Sequence, residues 1–245
     1  LERHPLAPGE LLELGSHIVI QRQRRSHLGI VMLYRLDVKM RPRRNDLDIH
    51  FQFGTAALDP LEARGFELFK DPEKGNCIAC HAGTVDSHNP ADWLFTDFTY
   101  DNLGIPRNAQ IPDNDDPTFF DLGLCRQDGL AAKAPPDFDL ESLCGAFKVP
   151  TLRNVAITAP YGHNGYFTTL RDVVRFYVTR DTNPELWYPT DAAGNVQKFD
   201  DLPPQYQANV NTEEVPYDRK LGEPPRLSDD EIDAVVAFLG TLTDR

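Results

Sequence analysis

Apolar residues recur at helical spacing in three separated stretches of the chain. In LDPLEARGFELFK (58–70), Leu61, Gly65, Phe66 and Phe69 fall near one face. Asp59 stands where an N-cap belongs, and Pro60 takes the first helical position. In TLRDVVRFYV (169–178), Leu170, Val173, Val174 and Tyr177 repeat at the same period. In LSDDEIDAVVAFLGTL (227–242), Ser228 and Glu231 have the spacing of a capping box, and Ile232, Val235, Val236, Leu239 and Leu242 make one stripe. The patterns predict helices over 59–70, 169–178 and 229–242. Between them the period fails. Residues 82–147 read mostly as loop, with clusters such as IPDNDDPT and KAPPDFD, FKVPTLRNVA is punctuated, and a second long loop spans 180–227. No internal repeat is present. The early RQRRSHLGIVMLYRLDVKMRPRR shows no clear helical or strand period. A boundary near residue 50 is expected, with 1–50 a linker or a segment unrelated to the fold and 51–245 one domain.

Composition agrees with a loop-rich fold. The chain has 245 residues, 20 of them proline and 16 glycine, and its 40% hydrophobic content is enough for a buried core. The formal charge of -13 argues against nucleic acid or an anionic membrane as partner and suits a basic redox protein. That charge is uneven: residues 1–50 hold nine Lys/Arg against six Asp/Glu, so the acidity belongs to residues 51–245. A basic arm for nucleic acid is the sharper reading of the first segment; a plain linker is the simpler one. No stretch approaches the roughly 18 apolar residues of a membrane span. The chain begins with Leu1 and shows no signal peptide, and it reads as a fragment or a processed product.

The densest chemistry lies in GNCIACHAG, where Cys77 and Cys80 stand three apart and His81 comes directly after. A Cys-x-x-Cys is compatible with half a zinc site, a redox dithiol or a haem attachment. Zinc needs about four ligands, usually two close pairs, and Cys125 and Cys144 form no second close pair. A redox dithiol expects a neighbouring βαβ pattern, which is missing. The histidine directly after the second cysteine marks c-type haem attachment. Two thiols add to the two vinyl groups, and the next side chain reaches the iron. Cys125 and Cys144 are then an even remainder. In a protein matured outside the reducing cytosol they are a disulfide candidate, with two buried free thiols as the alternative.

The sixth iron ligand is less obvious. Histidine and methionine are usual in electron-transfer haems. The only methionines, Met32 and Met40, precede the motif. His88 is too near the motif to wrap round a haem. His163, in PYGHNGYF, and Tyr177, as a phenolate, are the candidates, and an open site is the third option.

GNCIACH, FKVPTLRNVAITAPYGHNGYFTTLRDVVRFY and the closing LSDDEIDAVVAFLGTLT resemble the C-terminal haem domain of the bacterial di-haem cytochrome c peroxidase and MauG family. The resemblance runs from about residue 55 to 245 and leaves out residues 1–50, which lack a second Cys-x-x-Cys-His. It implies a mainly α, cytochrome c-like haem domain with long irregular loops, carrying one covalent haem c. Helices 59–70 and 229–242 are expected to cross near the haem. In the peroxidases a methionine fourteen residues after the motif's histidine ligates this haem, and fourteen residues after His163 stands Tyr177. MauG is similar in using tyrosine there. The resemblance therefore implies His81 and Tyr177 as axial ligands, with His163 ordering the HNG loop. It also implies a calcium ion held in part by the backbone of Thr158 and Pro160, and offers Arg153 as partner of a haem propionate or as a cap of its own loop. The implied parent is a periplasmic or otherwise exported oxidoreductase. In it this domain relays or stores oxidising equivalents from peroxide at a second haem domain absent from this chain, with a redox protein as electron donor. The competing class is a stand-alone monohaem electron-transfer protein without catalysis.

Overall fold

The computed structural model describes residues 58–83, 92–127 and 129–243, and the backbone of three short strands nearer the start. Those strands, β1 (Leu12–Leu14), β2 (Ile18–Gln21) and β3 (Val31–Tyr34), form an antiparallel meander in which Leu12 pairs with Ile20 and Ile18 with Tyr34. β3 falls in the stretch where the sequence shows no period, and β1 and β2 come just before it. His88 and Met40 lie outside the described residues, and of Met32 only the backbone, in β3, is described.

Helix α1 (Pro60–Lys70) starts on a reciprocal cap. Asp59 Oδ1 accepts from the backbone of Leu61 at 2.8 Å and Glu62 at 2.9 Å, and the Glu62 carboxylate accepts from Asp59 N at 2.8 Å. Phe66, Leu68 and Phe69 are buried. Leu61, assigned to the same face by its spacing, is instead 46% exposed. It sits in the first turn, before the helix reaches the core. The last helix, α4 (Asp229–Gly240), is capped by Ser228 and Glu231 in the same reciprocal way. The two helices cross at Gly65, where a Cβ would stand 1.9 Å from the carbonyl oxygen of Ala234. Only glycine allows that approach, and around it Phe66, Phe69, Trp93, Phe95 and Phe238 close the core.

Helix α3 (Leu170–Thr179) comes after a one-turn helix α2 (Leu130–Lys133) and is capped by Thr169, whose hydroxyl accepts from Asp172 N. It is buried on two sides. Val174 and Val178 join the α1–α4 core, while Val173, Phe176 and Tyr177 belong to a second cluster with Ile105, Phe167 and Tyr188. The connections around it are held by short devices: a two-residue ladder of β4 (Tyr100–Asp101) with β5 (Phe147–Lys148), several single 3-10 turns, and a disulfide joining Cys125 to Cys144.

Helix is less abundant than a mainly α reading implies. Between Lys70 and Leu170 the described backbone holds one α-helical turn, α2. Among the described residues, the long stretches without period form loops and short 3-10 turns rather than further long helices. Among the described residues no helix is long and apolar enough to cross a membrane.

Candidate haem site

The motif lies directly after α1. Gly75 N donates to Leu68 O at 3.2 Å, folding the chain back over the helix end. Asn76 adopts a left-handed φ of 48° and donates to Asp71 O at 3.0 Å. A 3-10 turn, Cys77–Ala79, comes next, and His81 N closes it on Cys77 O at 2.8 Å. The turn brings both sulfurs and the imidazole to one wall of a cavity of about 450 Å³.

His81 is buried, and its Nδ1 lies 3.1 Å from the carbonyl of Phe95 and 3.2 Å from that of Pro150. Nδ1 is therefore the protonated nitrogen, and Nε2 keeps the lone pair a metal needs. Burial lowers the histidine pKa against the opposing pull of the two carbonyls, so the ring stays neutral. Cys77 and Cys80 are free of any disulfide, and burial pushes both thiols up to about 12. Near neutral pH they are thiols, the form that adds across a vinyl group. Phe69, Leu152, Val174, Val235 and Leu239 line the same space. A neutral imidazole presenting Nε2, two free thiols on one wall and an apolar enclosure fit a c-type haem.

Tyr177 lies on α3 and lines the cavity with His81. Burial raises its phenol pKa, helped by the charges of Asp101, Cys80 and Cys77, while Tyr217 acts in the opposite sense. His163 also borders the cavity, but its ring is engaged. It stacks on Phe147 at 3.8 Å with planes 8° apart, and Nε2 meets Asp201 Oδ2 at 3.3 Å. Asp201 is buried and also accepts from Asn164 at 2.9 Å and Arg107 at 3.2 Å. Arg153 Nε donates to Trp93 O at 3.1 Å. Thr158 and Pro160 are exposed residues that border the cavity, and the Thr158 hydroxyl donates to Val155 O at 3.1 Å. Among the described residues no group of three or more His, Cys, Asp or Glu side chains is placed to hold a metal ion.

Three residues of this site have no sequence signal. Tyr217 lines the cavity beside Tyr177, with ring centroids 5.5 Å apart. Arg180 is fully buried behind it, 4.7 Å from its ring. Asp101 borders the cavity with its carboxyl pKa raised by burial. None lies in a motif or a periodic stretch, and each acquires its role from a distant partner.

No family model matches the chain. Among individual proteins, it is 34% identical over 200 residues to the methylamine utilization protein MauG of Paracoccus denitrificans, covering 78% of this chain and 44% of that protein. It is 34% identical over 135 residues to the cytochrome-c peroxidase IdrP1 of Pseudomonas sp. strain SCT, covering 49% of this chain and 32% of that one. Among solved structures, the diheme peroxidase BthA of Burkholderia thailandensis matches with a TM-score of 0.73 and 44% identity, over 82% of this chain and 46% of that one. A tyrosine-to-methionine variant of BthA matches equally, with a TM-score of 0.73. The chain thus spans less than half the length of these relatives. With the Cys77-x-x-Cys80-His81 wall, its enclosing cavity and these likenesses together, the chain belongs to the family of MauG and the dihaem cytochrome c peroxidases.

Proposed function

We propose that this chain is the C-terminal haem c domain of a MauG-like or peroxidase-type oxidoreductase, matured in the periplasm. In this reading it relays or stores oxidising equivalents drawn from peroxide at a second haem domain. The observation that supports it best is the presence of Tyr177 in the same cavity as His81, in a chain with no methionine after residue 40. His163 is the weaker ligand candidate, because its Nε2 already meets Asp201 and its ring is stacked on Phe147.

Bound haem would supply an iron centre able to change oxidation state. The chain's own residues set how it does so. Cys77 and Cys80 would hold the haem through their sulfurs, and His81 would offer Nε2, its tautomer set by Phe95 O and Pro150 O. Tyr177 offers an oxygen ligand. Burial by itself keeps its phenol protonated; a ferric ion would be the charge that reverses this and favours the phenolate. An anionic oxygen stabilises ferric and higher states, whereas a thioether favours ferrous iron. A side chain in the sixth position also denies peroxide access, so these 245 residues by themselves are expected to turn over peroxide slowly or not at all. A calcium ion on the backbone carbonyls of Thr158 and Pro160 belongs to the same proposal, both residues being exposed at the border of the cavity.

The test is Tyr177→Phe in the haem-loaded full chain. It should abolish the tyrosinate modes in the resonance Raman spectrum, raise the reduction potential and speed cyanide binding. An unchanged spectrum and potential would make Tyr177 a packing residue and return His163 to first place.

A further inference from the structure

Tyr217 sits at a place no motif marks. It is buried and borders the cavity. Its ring lies 5.5 Å from that of Tyr177, tilted by 36°, and both phenols line the same cavity. The guanidinium of Arg180 stands 4.7 Å from the centroid of the Tyr217 ring. Arg180 is itself fixed from several sides. It donates to Leu103 O at 2.9 Å, to Asn211 O at 2.5 Å and to the Asp181 carboxylate at 2.7 Å. A buried cation so placed holds the aromatic ring by its quadrupole and draws electron density from it. The phenol beneath becomes a better hydrogen-bond donor.

A phenolate bound to iron keeps lone pairs that the metal does not use. A hydrogen bond donated to that oxygen takes up part of its charge and weakens its donation to the metal. We propose that Tyr217 is a positioning residue for Tyr177: its hydroxyl donates to the Tyr177 oxygen, fixes the orientation of that ring and tunes the reduction potential upward from what an unassisted phenolate would set. This rests on the reading of Tyr177 as an iron ligand.

Tyr217→Phe is the sharpest test, because it keeps the ring and its contact with Arg180 and removes only the hydroxyl. In the haem-loaded full chain, the tyrosinate Raman modes should persist but shift, and the reduction potential should move to more negative values. In the unsubstituted protein, exchange into D₂O should shift the phenolate mode, and Tyr217→Phe should abolish that isotope shift. This second measurement needs no variant to establish that the hydrogen bond exists. If Tyr217→Phe leaves modes, potential and isotope shift unchanged while Tyr177→Phe removes the modes, the positioning role is refuted and the ligand stands. If Tyr177→Phe itself leaves the modes in place, both readings fall.

Discussion

The two walls of the cavity are built by different means. On the motif side, α1 and α4 cross through Gly65 and bury Phe66, Phe69, Trp93, Phe95 and Phe238 against one another. That wall is apolar and helical, and each large buried side chain contributes roughly 1.5–3 kcal/mol. On the tyrosine side, α3 is met by irregular loops whose interior is polar. Arg180 holds Leu103 and Asn211 by their carbonyls, Asp201 gathers Arg107, Asn164 and His163, and the Tyr188 hydroxyl donates to Gly104 O at 2.6 Å. The first wall is specified by shape, the second by satisfied hydrogen bonds. Shape tolerates loss of one contact by relaxing; a buried polar network does not, because each orphaned partner keeps its full desolvation cost.

Substitutions in each wall put this contrast to measurement. Arg180→Met should be the most damaging, by roughly 3–5 kcal/mol in urea unfolding, since it removes a fully buried charge and strands two carbonyls. Asp181 would still keep Lys198 as partner, so a cost under about 1 kcal/mol would mean that the two stranded carbonyls find other partners and that the polar network is not the brittle element. Gly65→Ala is next. With no room for a Cβ beside Ala234 O, the helices must separate, at roughly 1–3 kcal/mol, read as a lowered Tm. A neutral result there would show that the apolar wall slides more easily than its packing suggests.

Ser228→Ala should cost about 1 kcal/mol by loss of the α4 cap, and Ser228→Asp should restore it. The smallest effect is a gain. Burial raises the Asp101 pKa above its ordinary value of 3.8, so the fold favours the protonated form. That contribution is present at low pH and is lost as pH rises through the raised value. Asp101→Asn should therefore raise Tm at pH 7, and the advantage should shrink as pH falls toward 3.8 in a series of thermal melts. An advantage that grows on acidification would reverse the assignment.

The contrast between the walls also governs what residues alone can reveal. Helices α1, α3 and α4 carry their apolar faces in a local period, and their caps lie within three residues of what they cap. Cys77, Cys80 and His81 lie within five positions, the spacing that c-type haem attachment demands. Cys125 and Cys144 pair by count, and the structure joins them. Leu61 departs from its expected burial because period says where a side chain points around the axis, not how far the core extends along it. The short strands β1–β3 are not legible because nothing in their surroundings alternates clearly between apolar and polar.

The sequence by itself determined the Cys77-x-x-Cys80-His81 wall and the helices that carry it, since both are local patterns of a few residues. Only the tertiary structure decided what stands around Tyr177. Tyr217 is 40 positions away, Asp101 lies 76 before it, and Arg180, though only three residues on, reaches the site through carbonyls of Leu103 and Asn211. Hydrogen bonds and ring contacts between such distant loop residues depend on the path of the folded backbone, and no period or spacing in the chain encodes that path.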